Sequence, residues 1–113
     1  MPTLKDALIN IKAVIDTPDK WVKGKYACDA QGNTVAAFHS KACRWCLMGA
    51  VFKVGYFLYN TYDPFFHHLY GIAKKFNYPN LSTINDVYGF EEVHKFLDIA
   101  IAEAPDDELS TKE

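Results

Sequence analysis

A surplus of positive charge is missing from this chain: 12 Lys and Arg stand against 14 Asp and Glu, a formal net charge of -2. That excludes the broad positive field with which proteins track phosphate backbones, so nucleic-acid binding is not expected. Long apolar runs are missing as well. The nearest, Leu47 to Tyr59, is interrupted by Lys53 and falls short of the roughly 20 residues a membrane span needs. The opening segment MPTLKDALINIKAVID scatters acids and lysines where a secretion signal carries a basic stretch followed by an apolar one. No membrane association is expected, and a reducing cytoplasm is the expected location. Cysteine is scarce and odd in number, three in all, which argues for free thiols rather than a disulfide framework. A Gly-rich phosphate loop, a nucleophile elbow, an HExxH pair and a paired-carboxylate motif are all absent, so no catalytic residue and no cofactor is assigned.

What the chain has is aromatic and aliphatic bulk. Eight Phe, seven Tyr and two Trp belong to a hydrophobic share of 50%, and 113 residues can bury a core without metal or disulfide support. Leu4, Ala7, Leu8, Ile11, Val14 and Ile15 follow one helical face, with Thr3 and Asp6 placed as a capping box and Pro18 as a stop. The helical period disappears between Trp21 and Phe38, where KYACDAQGNTVAAF predicts two extended pieces around a turn at Asp29, Gly32 and Asn33. A second helix is predicted from Lys41 to Tyr59 and a third from Asp63 and Pro64, with Phe65, Leu69, Ile72 and Phe76 on one face. NYPNLSTIND reads as loop with a short extended piece. The last helix is expected over Phe90 to Ala104, burying Phe90, Val93, Leu97, Ala100, Ile101 and Ala104. The expected fold is therefore mainly α: a compact bundle of about four helices with one small β-hairpin (α+β), a single domain over 1–104 and a polar tail over 105–113.

ACRWCLMGA, residues 42–50, poses the main chemical question. On a helix Cys43, Cys46, Leu47, Ala50, Val54 and Leu58 share one stripe, so both thiols are expected in the core, where cysteine packs as a small hydrophobe. Two alternatives stand beside that reading. A redox CxxC wants a helix N-terminus after a buried strand, and a zinc module wants a converging Cys28, His39, Cys43 and Cys46. Trp45, Phe52, Tyr56 and Tyr59 fall on the other face of that helix. Gly49, costing roughly 1 kcal/mol against alanine inside a helix, suggests a close neighbour there.

Three segments, WVKGKYACDAQG, ACRWCLMGA and INDVYGFEEVHKFLDIAI, together resemble a family of small phage and bacterial proteins of unknown function. The matching positions are Trp21, Gly24, Asp29, Gly32, Trp45, Cys46, Gly49, Ala50, Asn85 and Asp86. The resemblance implies an accessory or anti-defence role, exercised in the host cytoplasm if the chain is phage-encoded, and brings no activity with it.

A non-catalytic binding protein is the leading expectation. Trp21, Tyr26, Asp29, Arg44, Trp45, Asn85 and Asp86 are the candidate binding residues, forming an aromatic-walled polar site for a host protein or a small planar ligand such as a nucleotide. Asp29 has the competing role of bonding its own turn, and Asn85 and Asp86 that of capping the last helix. The alternatives are a small hydrolase using Asp29, His39 and Asp86, and the structural zinc module. His67 and His68 diverge by about 100° on a helix, and His94 is expected half-buried. Self-association is left open.

Overall fold

Thr3 opens the first helix with the expected reciprocal cap: its hydroxyl accepts from the Asp6 N–H at 3.1 Å, and its own N–H donates to Asp6 Oδ2 at 3.2 Å. The computed structural model describes residues 3–55 and 63–105. In chain order the elements are α1 (Leu4–Val14), a 3₁₀ turn (Pro18–Lys20), β1 (Ala27–Cys28), β2 (Arg44–Trp45), α2 (Leu47–Val54), α3 (Asp63–Lys75), a one-turn α4 (Leu81–Thr83), a π-helical turn (Ile84–Tyr88) and α5 (Phe90–Ala102). The fold is mainly α with a small two-stranded antiparallel unit, as the periodicity predicts.

α1 packs against α2, α3 and α5. Its stripe of Leu4, Ala7, Leu8, Ile11 and Ile15 is buried against Leu47, Val51, Phe65, Leu69, Phe96 and Leu97 in one hydrophobic core. The last helix starts at Phe90 as expected and buries Val93, Phe96, Leu97 and Ala100, while Phe90 and Ile101 are only half-buried. Phe76, placed on the buried face of the third helix by spacing, is exposed, because α3 ends at Lys75 and Asn77 turns the chain with φ +61°.

The hairpin prediction is corrected in part. Asp29 builds its turn as expected, its carboxylate accepting from the N–H groups of Gln31 and Asn33. The second strand, however, does not lie within 34–38. β1 pairs with β2 in the register Ala27 to Trp45 and Cys28 to Arg44, and Thr34 contributes only an isolated bridge to Cys28. Trp45 explains the choice, since the extended conformation at 44–45 sinks its ring into the core while its indole N–H donates to the Ala37 carbonyl at 2.8 Å.

The second helix consequently starts at Leu47, not Lys41. Cys46 is its extended N-cap, and Cys43 lies outside it and is exposed, which removes Cys43 from the predicted stripe while leaving Cys46, Leu47, Ala50 and Val54 buried. Leu58, Tyr56, Tyr59 and nearly all of the predicted tail lie outside the described residues.

Within NYPNLSTIND the residues 77–80 are loop as expected, but 81–86 are helical where a short extended piece is expected. Asn80 Oδ1 caps α4 by accepting from the Thr83 N–H at 2.8 Å, and Leu81 and Ile84 are buried beneath it. The chain then widens into the π turn, closed by the Gly89 N–H on the Ile84 carbonyl. Gly89, at φ +96°, separates that turn from α5, so Asn85 and Asp86 do not cap the last helix.

Candidate functional site

Asn85 is the only buried polar side chain among the described residues, 2% exposed, and every hydrogen-bonding position of its amide is used. Oδ1 accepts from Trp21 Nε1 at 2.6 Å and from the Leu47 N–H at 2.9 Å. Nδ2 donates to the Val22 carbonyl at 3.1 Å and to Asp86 Oδ1 at 2.8 Å. One side chain therefore joins the π turn, the segment after the 3₁₀ turn and the first turn of α2. A buried amide satisfied in all four directions rigidifies its surroundings, because losing any partner strands a polar group away from water.

Neighbouring bonds extend this scaffold. Asp86 Oδ1 also accepts from the N–H of Gly24, which sits at φ +76°. Its second carboxylate oxygen has no protein partner among the described residues. Trp21 packs edge-on against Phe90 with ring centroids 5.8 Å apart, and the Val22 N–H donates to the Trp45 carbonyl. Tyr26 is fixed through its backbone, whose carbonyl accepts from the Cys46 N–H at 3.1 Å. Gly49 is what permits this approach: a Cβ there would lie 1.9 Å from the Tyr26 oxygen. The close neighbour that Gly49 suggests is thus the Tyr26 backbone.

Between these groups opens a cleft of about 370 Å³, with Tyr26, Met48, Ser82, Thr34, Lys25 and Asp86 among its lining residues. Tyr26 is half exposed and its ring meets Phe52 edge-on at 5.2 Å, while the Lys25 ammonium donates to the Gly32 carbonyl at 3.1 Å. Cys46 also borders the cleft and accepts the Gly49 N–H on its sulfur at 3.2 Å. Burial pushes this thiol up from the ordinary cysteine range, and the Asp86 charge adds to the effect. It is a neutral capping and packing group, the reverse of the lowered thiol that redox chemistry requires.

Of the seven candidate binding residues, Tyr26, Asn85 and Asp86 meet at this cleft. Trp21 and Trp45 do not line it: Trp21 holds Asn85, and Trp45 is buried with its ring covered by the Lys53 ammonium at 4.7 Å from the centroid. Arg44 is exposed on β2 and does not line the cleft. Asp29 keeps its carboxylate in its own turn, where the Asn33 backbone holds it below the usual carboxylate range. His39 likewise closes its own turn, Nδ1 accepting from the Lys41 N–H at 3.0 Å, so the proposed set of Asp29, His39 and Asp86 is not gathered at the cleft. His68 and His94 are half-buried and donate through Nε2 to the carbonyls of Ala100 and Ile15. Among the described residues no three of His, Cys, Asp or Glu converge to hold a metal ion, so Cys28, His39, Cys43 and Cys46 do not form a ligand set.

The sequence did not point to Lys25, Thr34, Met48 or Ser82 as lining residues. Gly24 carried a signal, since a glycine between Trp21 and Tyr26 allows the positive φ that brings its N–H onto Asp86.

A family model spans residues 1–103. The chain belongs to the family of unknown function DUF6197. This agrees with the resemblance to a family without assigned activity, and membership in DUF6197 supplies a fold-length match but no reaction. No curated protein and no solved structure matches the chain. No helix among the described residues is long and apolar enough to cross a membrane.

Proposed function

We propose that this DUF6197 chain is a small non-catalytic binding protein whose ligand is a planar small molecule held in the cleft beside Asn85 and Asp86. One observation carries the reading: an open cleft of about 370 Å³ stands on a saturated hydrogen-bond scaffold. That volume lies within the roughly 300–1,000 Å³ of small-ligand pockets. Preorganised walls cost little to order when a ligand enters, which favours affinity. Tyr26 offers an aromatic face, Met48 an adaptable apolar surface, and Asp86, Ser82 and Thr34 a few polar contacts. Among the described residues no acid–base pair or activated nucleophile accompanies them, since burial keeps Cys46 toward the neutral thiol and neither His39 nor Asp29 lines the cleft. An accessory role, in which a small fold sequesters a ligand, draws its support from the resemblance to small phage and bacterial proteins, and the ligand part of it from the cleft.

Calorimetric titration with a panel of nucleosides and free bases tests the proposal. The expected result is one site per chain, weakened at least tenfold by Tyr26→Ala. Binding unaffected by Tyr26→Ala, or no binding across the panel, would overturn it.

A further inference from the structure

The cleft adjoins the start of α2, and a helix N-terminus is ordinarily an attractive place for a phosphate. Here three of the N–H groups around it are already used. The Leu47 N–H is held by Asn85 Oδ1, the Gly49 N–H by the Cys46 sulfur, and the Gly24 N–H across the cleft by Asp86. The lysine that lines the cleft, Lys25, gives one of its three ammonium N–H groups to the Gly32 carbonyl and keeps its charge, set against that of Asp86. Beside the hydroxyls of Thr34 and Ser82, the cleft offers a ligand a strong acceptor: Asp86 is exposed, one of its oxygens receives two N–H groups, and the other has no protein partner among the described residues. A carboxylate fixed in this way accepts a ligand N–H and repels an anion. Tyr26 and Met48, an aromatic and an adaptable apolar side chain, are the lining residues against which a ring would pack.

We infer that the cleft selects planar heterocycles bearing an exocyclic amino group, in the unphosphorylated form, with Asp86 as the specificity-determining residue. This rests on the reading of the cleft as a ligand site, and it narrows the ligand from a nucleotide to an amino-bearing base or nucleoside. A site that presents an acceptor discriminates strongly against an analogue whose donor is replaced by a carbonyl, because two acceptors then face each other unpaired.

Adenosine with inosine, and cytidine with uridine, form two probe pairs in which an amino group is exchanged for a carbonyl. Adenosine 5′-monophosphate adds the anion. The parent chain is expected to bind the amino member of at least one pair ten times more tightly than its carbonyl partner, and adenosine ten times more tightly than its monophosphate. Asp86→Asn keeps an oxygen to accept from Gly24 and Asn85 and converts the outward oxygen to a donor. It should reverse the amino-over-carbonyl preference at an unchanged melting temperature. Equal binding within both pairs, tighter binding of the monophosphate, or an Asp86→Asn protein that keeps the parent preference overturns the inference and leaves the cleft a ligand site. Binding of none of the probes overturns both. The comparison within the parent decides the matter even where the variant does not fold.

Discussion

Replacing Gly49 by alanine sets two effects of opposite sign against each other. On helix propensity alone the change is favourable by about 1 kcal/mol, since glycine is a poor residue inside α2. The new Cβ, however, would lie 1.9 Å from the Tyr26 carbonyl oxygen and 2.8 Å from its carbon, where ordinary contact starts at 3.4 Å. The obstacle is backbone, so no rotamer change relieves it. The helix and the Tyr26 segment must separate by about 1.5 Å, an overpacking strain typically worth 1–3 kcal/mol and sometimes more. Separation also breaks the bond from the Cys46 N–H to that same carbonyl. The expected net loss is about 2–4 kcal/mol, readable as a lower urea midpoint at constant m-value, together with weakened ligand binding because Tyr26 forms a wall of the cleft. A Gly49→Ala protein as stable as the parent, or more so, would refute the close packing on which the cleft geometry depends.

Asn85→Ala strands the buried Leu47 N–H and loosens Trp21, so chemical denaturation should register a loss of about 3 kcal/mol; a change below about 0.5 kcal/mol would contradict the scaffold role. Thiol labelling near pH 8 should count one fast group per chain, Cys43, with Cys28 and Cys46 slow, and fast modification of Cys46 would contradict its burial. Burial and the bond to Glu92 push Tyr78 up to about 12 from 10.0, favouring the neutral phenol in the folded state. Its stabilising contribution is therefore full below pH 10 and lost as pH rises towards 12. The ultraviolet titration of Tyr78→Phe should lack the corresponding late tyrosinate step, and a parent titration complete by pH 11 would argue against the raised value.

How legible the molecule is in its sequence differs from element to element. The stripes of α1 and α5 and the capping box at Thr3 follow from local periodicity and chemistry, which tertiary contacts reinforce. So does the Asp29 turn, whose bonds span only two to four residues. The spacing of Cys43 and Cys46 mimics a helical repeat, but the burial of Trp45 keeps 44–45 extended and delays the helix. No local rule anticipates that competition. The π turn is harder still to foresee, because Asn85 is held there by Trp21, Val22 and Leu47, all distant in sequence. Asn85 and Asp86 resemble helix caps by composition, and only three-dimensional proximity gives one a scaffold role and the other a place at the cleft. Gly49 is the instructive exception, since a glycine costly to its own helix announces a close neighbour without naming it.

The central claim, that the cleft beside the Asn85 scaffold is where a ligand sits, is tested most directly by titrating ¹⁵N-labelled protein with adenosine or cytidine and mapping the amide shifts. The largest changes are predicted at Gly24, Lys25, Tyr26, Ser82 and Asp86, with the Asp29 turn and Arg44 undisturbed. Shifts centred on Arg44 or the Asp29 turn, or a spectrum that adenosine and cytidine both leave unchanged, would contradict it.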